Sequence, residues 1–259
     1  MKSWKPLLFV AFFSIVFYSC SKNDDSTNPI DQSSFIGLAS DYMPVTANQS
    51  LKGTINGSIT ESDSSGAVTH SESWTGIDAE AKIGASTTHK NVNANPILGY
   101  NQERGRFDVV GYLYNNGDLM GMNINPDPQE ANGLLLPKEF KIGQEWIVNS
   151  SAKINIPRIK VKAAEAMASY VTTSGKTYNN VVRFEVTSYD SVTTENTINY
   201  YSKITVIRAL SGAIYLAKGI GLVDAKVDNF SMVATGKQNR GNRNENVYYK
   251  SVTKGSLSL

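Results

Sequence analysis

Cysteine occurs once in the 259-residue chain and histidine twice. One thiol cannot form an internal disulfide, and with two imidazoles and no further thiol a closed tetrahedral zinc site would need carboxylates that no motif supplies. A charge excess is missing as well. The chain has 25 basic and 23 acidic residues, but Lys2 and Lys5 lie in a leader expected to be removed, which leaves 23 of each sign. A neutral protein carries no electrostatic footprint for nucleic acid, and no nucleic-acid partner is expected. Nor is there a run long enough to cross a membrane permanently. The apolar stretch from Leu7 to Tyr18 falls well short of the roughly twenty residues a spanning helix needs. What remains is 41% hydrophobic and 19% charged, which excludes a disordered or collagen-like chain and indicates a globular one.

The leader is organised as a secretory signal, with Lys2 and Lys5, an apolar core, and a small residue before the cut. The lone cysteine stands at that cut. Phe17-Tyr18-Ser19-Cys20 resembles the lipobox of bacterial lipoproteins, in the relaxed form of Bacteroidota. The resemblance implies lipidation of Cys20 after removal of residues 1–19. Ser21-Lys22-Asn23-Asp24-Asp25 follows, and Lys22, Asp24 and Asp25 are similar to the signal that sends such lipoproteins to the cell surface. The implied location is the outer membrane, anchored by lipid and facing outward. Residues 20–38, rich in Ser, Asn, Asp and Gln, read as a flexible tether, with a β-rich domain over 39–259.

Period-two patterning dominates that domain. Leu51, Gly53, Ile55, Gly57 and Ile59 alternate with polar residues. So do Trp146, Val148, Ala152, Ile154 and Ile156, then Val182, Phe184 and Val186, then Val223, Ala225 and Val227. Each pattern predicts a strand with one buried and one wet face, the mark of antiparallel sheet. On this reading Asp224, Lys226 and Asp228 face water. Turn signals at Asp63–Gly66 and Asn115–Asp118 separate strand-like runs, and Gly219 and Gly221 suit a close reversal with positive φ. Val161–Ser169, alanine-rich around Glu165 and Met167, reads as a helix. The expected class is all-β and mainly antiparallel. The sheet is curved, a half-barrel or open barrel, with at most one or two short helices.

Asp41-Tyr42-Met43-Pro44, Gly143 with Trp146, Thr177-Tyr178-Asn179-Asn180, and Tyr215-Leu216-Ala217-Lys218-Gly219-Ile220-Gly221-Leu222-Val223 together resemble a β-rich domain of exported bacterial lipoproteins. Related folds look like the half-barrel of the LolA/LolB lipoprotein carriers. That resemblance implies a non-enzymatic protein whose concave sheet face holds a lipid-like or other apolar ligand. The inward sets Trp146, Val148 and Ile154, and Val182, Phe184 and Val186, have the parity to line such a face.

Motifs with chemical associations fail on context. Gly219-Ile220-Gly221 lacks a third glycine and a following helix, Ser174-Gly175-Lys176-Thr177 lacks the first glycine of a phosphate loop, and Ser251-Val252-Thr253-Lys254 lies in an alternating strand. His70 and Glu72 share a strand face as a solvated pair. No catalytic set, metal site or cofactor is expected. Tyr112, Tyr114, Tyr189, Tyr200, Tyr201, Tyr248 and Tyr249 keep a glycan-binding or adhesive module as the alternative. Asp190-Ser191-Val192 resembles an O-glycosylation acceptor of Bacteroidota, with Ser191 as the modified residue.

Overall fold

Alternating apolar and polar residues need hydrogen-bonded neighbours on both edges, and the molecule supplies them as one long meander. The computed structural model describes residues 30–44, 50–89, 92–101, 104–115, 119–123, 135–149, 158–196, 201–240 and 243–259. Its elements run β1 (Ile36–Leu38), α1 (Ala39–Tyr42), β2 (Ser50–Ser62), β3 (Val68–Ile83), β4 (Thr87–His89), β5 (Val92–Asn101), β6 (Arg106–Asn115), β7 (Leu119–Asn123) and β8 (Leu135–Pro137). They continue with β9 (Glu139–Lys141), β10 (Glu145–Asn149), β11 (Arg158–Val171), β12 (Thr177–Asn196), β13 (Ser202–Ala217), β14 (Gly221–Arg240) and β15 (Arg243–Ser258).

The large sheet is antiparallel throughout and runs β10-β11-β12-β13-β14-β15-β2-β3-β5-β6-β7-β8, with β4 on β5. Apart from β9, which leaves for a small sheet with β1, this is chain order with one junction: β15 pairs with β2, Gly255 opposite Gly57. An up-and-down sheet whose last strand meets its first is close to a barrel. Among the described residues, β8 and β10 do not pair, and the sheet stays open there. Inward side chains from both halves nevertheless meet in one apolar cluster. It includes Leu51 and Ile55 of β2, Ile97 of β5, Leu113 of β6, Val161 of β11, Phe184 of β12, Leu216 of β13 and Leu257 of β15.

The hairpins fall where the turn residues lie. Asp63 caps its own turn, accepting from the Ser65 and Ala67 amides, and Gly66 takes φ 85°. Between β13 and β14, Gly219 and Gly221 adopt φ 72° and 97°. Those angles favour glycine.

Three expectations are corrected. Val161–Ser169 is strand, the middle of β11, bonded to β10 on one side and β12 on the other. A bulge between Ala163 and Glu165 inserts an extra residue, so Val161, Ala163 and Ala166 all point inward. The helix expectation rested on alanine's own propensity, which two hydrogen-bonded sheet neighbours override. Residues 30–38 are not a free tether. Ile30 and Phe35 pack on the core, β1 pairs with β9, and the Gln32 amide bonds the Ala166 backbone in both directions at 2.6 and 2.8 Å.

Asp224, expected in water, is fully buried. Its Oδ2 accepts from the Tyr170 hydroxyl at 2.7 Å and from the Thr173 amide and hydroxyl at 3.1 Å each. The Thr172–Lys176 turn covers it, pinned also by Ser258, whose hydroxyl accepts from the Ser174 amide at 3.0 Å. Tyr170 stacks on Tyr215 with centroids 4.3 Å apart. Burial first, and then the bond to Asp224 and its charge, hold the Tyr170 phenol far above the ordinary tyrosine value.

Burial likewise raises Tyr42 and Tyr178. A phenol raised in the folded state favours folding below its ordinary pKa of about 10 and loses that contribution as pH climbs through the folded value. Stability should therefore decline above about pH 10, and Tyr170→Phe should flatten the decline. Urea melts at pH 8 to 12 check this; an unchanged slope in the variant would show that the phenol does not report on folding.

Candidate functional site

The open seam between β8 and β10 is the feature that a closed barrel would lack. The chain between these edges does not bridge them with hydrogen bonds. It turns aside through β9, pairs with β1, and buries Phe140 in the main cluster against Phe184 of β12. Phe140 is 1% exposed. Its ring lies 5.1 Å from Phe184, 5.7 Å from Tyr42 and 6.3 Å from Phe35, centroid to centroid, and Phe184 meets Trp146 at 6.2 Å. The Phe140–Tyr42, Phe140–Phe184 and Phe184–Trp146 pairs are edge-to-face, the arrangement ring quadrupoles favour. Gly37 allows this packing, because the Phe140 ring occupies the space a Cβ there would need.

Residues 30–43 form a strap across the seam, tied at three places. Gln32 bonds β11, and β1 pairs with β9. At the far end the Asp41 carbonyl accepts from the Gly219 amide at 2.6 Å, while the Asp41 carboxylate pairs with Lys218 at 3.3 Å. Tyr42 and Met43 are thereby buried at 3% and 1%. The seam thus presents aromatic and aliphatic groups, suited to nonpolar contact.

Trp146, Val148, Val182, Phe184 and Val186 come together here. Val148, Val182 and Phe184 are fully buried in the main cluster, and Trp146 and Val186 pack against it. Ile154 lies outside the described residues, as do Cys20, Lys22, Asp24 and Asp25. Ser191 is exposed on β12, opposite Ile207 of β13, while Asp190 beside it pairs with Arg208 at 3.3 Å on the other face. His70 and Glu72 share a face of β3, with Nε2 3.6 Å from Oε2; His70 is half-buried and Glu72 exposed. Of the tyrosines, Tyr200 lies outside the described residues. Tyr189 and Tyr248 project from the outer face, but β13 and β14 lie between their strands, and Tyr249 bonds Glu61 at 3.0 Å.

Sequence reasoning missed Phe140 and the strap. Ile30 and Phe35 are the available signal, two large apolar residues inside a segment otherwise polar enough to be a tether.

The fold defines an open, rolled, up-and-down antiparallel sheet with a strapped seam. No family model matches the chain, and neither a curated protein nor a solved structure matches it.

Proposed function

We propose that this chain is a non-enzymatic outer-membrane lipoprotein, anchored through Cys20 and facing the cell surface, whose rolled sheet binds a lipid-like or other apolar ligand. The observation that carries the reading is the seam. A sheet that pairs its last strand with its first, yet leaves β8 and β10 apart, keeps an entrance to its apolar interior. That entrance is closed by side chains and a strap rather than by a ladder of backbone hydrogen bonds, and side-chain closure can open without breaking the sheet. Lipid anchoring is supported by the apolar leader ending at the one cysteine, and surface exposure by Lys22, Asp24 and Asp25.

Two measurements test the proposal. Cells fed a palmitate analogue should label the wild type, and Cys20→Ala should lose the label; equal labelling would refute the anchor. Native mass spectrometry with lipid extraction, alongside titration with an environment-sensitive fatty-acid probe, should reveal a co-purifying or saturably bound apolar molecule. If neither is found, the ligand-binding role fails.

A further inference from the structure

β11 pairs with β12 only as far as Ser188, opposite Ile159, whereas β12 runs on against β13 to Asn196. Beyond Ser188, the edge of β12 turned away from β13 pairs with no strand among the described residues. Tyr189 and Ser191 to Glu195 are all exposed there. Proteins guard such edges with lysine, proline or a bulge, because an open row of backbone donors and acceptors recruits another strand. This edge has none of the three. Tyr189-Asp190-Ser191-Val192-Thr193-Thr194-Glu195 contains no lysine or proline, and the β12–β13 register runs unshifted from Val181 to Asn196. By contrast β3, at the other margin of these long strands, carries two register shifts against β2. Tyrosine, valine and threonine also suit an extended strand. The two carboxylates are answered from β13, Asp190 by Arg208 and Glu195 by Lys203, each at 3.3 Å. The edge therefore has its charges neutralised and does not repel a strand like itself.

We infer that a second copy of this chain completes the edge, its own β12 lying antiparallel across a two-fold axis at Thr193. Two limits place the axis. Directly opposed residues in an antiparallel pair share a face, so the axis falls on a residue and not between two. β11 occupies the edge up to Ser188, so the arriving strand must stop short of that level. With the axis at Thr193, Asn196 of each copy lies level with Asp190 of the other, and both strand tips clear β11. An axis at Val192 would set Asn196 level with Ser188, in the place of Ile159, and an axis beyond Thr193 shortens the ladder. Thr193 then faces Thr193 of the other copy, Val192 faces Thr194 and Ser191 faces Glu195, with no like charges opposed. The ladder from Ser191 to Glu195 is about 17 Å long and joins the two large sheets into one. The seam lies between β8 and β10, so this pairing and ligand entry use different edges and either can fail alone.

Disulfide trapping on the full chain in phosphatidylcholine vesicles tests it, with the linked peptides identified by mass spectrometry. Directly opposed residues lie within reach of a disulfide, whereas diagonal neighbours, about 7–8 Å apart, do not. Thr193→Cys should therefore link to itself about tenfold faster than Val192→Cys or Thr194→Cys alone. A mixture of the last two should recover most of that rate. Val171→Cys, at an exposed position of β11, gives the collisional background. All these side chains are exposed, so the variants should fold as the wild type does. In sedimentation of the detergent-solubilised full chain, Thr193→Lys sets two ammonium groups face to face and should weaken the dimer about tenfold. Mixing it with Thr193→Glu should restore the dimer. Linking of Thr193→Cys no faster than that of Val171→Cys, or fastest linking by Val192→Cys or Thr194→Cys alone, would overturn the inference. So would a wild type that sediments as a monomer at every concentration.

Discussion

Asp224→Ala should destabilise the protein by about 3 kcal/mol, measured by urea denaturation at neutral pH. Hydrogen bonds to a charged group are worth about 1.5–3 kcal/mol each, and a buried donor left unpaired costs about 1–3 kcal/mol. Three donors converge on Asp224 Oδ2, and one of them, the Thr173 amide, cannot rotate away to another partner. The full sum is not expected, for two reasons. Tyr170 and Thr173 hydroxyls can turn toward water, and the variant is relieved of desolvating a carboxylate whose Oδ1 is buried without a partner. Asp224→Asn keeps an acceptor for the same donors and should lose clearly less than alanine. Equal losses in the two variants would mean that packing, and not the hydrogen bonds, stabilises the covering turn. Because that turn carries Lys176, Asp224→Ala should also raise exchange of the amides of residues 172–176 more than those of β13.

The contrast between Asp224 and its neighbours shows where local pattern stops being informative. Val223, Ala225 and Val227 alternate with Asp224, Lys226 and Asp228, and the alternation does place a strand there. Whether the second face is wet depends on the β11–β12 turn, 51 residues earlier, folding back over it. No window of a few residues carries that information. Leu51, Ile55, Val148, Val182 and Phe184 were legible because each sits on its strand's inward face, whereas Val181, Tyr215, Ala217 and Val223 form a second buried cluster on the opposite face that one-sided alternation does not announce.

The alanine stretch in β11 failed for a different reason. The helix expectation there rested on alanine's own propensity, which pairing with β10 and β12 overrides. The strap failed for a third. Its polar residues suggest solvent, but Gln32 is satisfied by the backbone of β11, 134 residues away, and Phe35 and Tyr42 pack on Phe140. Long-range pairing decides all three cases, including the β15–β2 junction that turns a meander into a roll.

Phe140→Ala should cost about 3–5 kcal/mol, the range for truncating a buried aromatic ring to alanine. The ring is almost fully buried and touches both the strap and the inner face of β12, so its removal separates the two groups that close the seam. The space it leaves is bounded by Phe35, Tyr42 and Phe184, apolar apart from one phenol. An apolar cavity of this kind stays dry and accepts small hydrophobic molecules. The variant should therefore gain saturable binding of benzene or a similar probe, and the probe should return stability by linkage, about 2.7 kcal/mol at a concentration one hundred times its dissociation constant. The wild type, with its seam filled, should show no such benzene-dependent stabilisation. Phe140→Leu refills most of the space and should fall between the two. A loss below about 1 kcal/mol, or a cavity that the probe does not stabilise, would mean that the strap holds the seam without the ring and that Phe140 is not its closure. Such a result would also weaken the seam as a route for ligand, because side-chain closure at Phe140 is what lets it open while every strand pair of the roll stays intact.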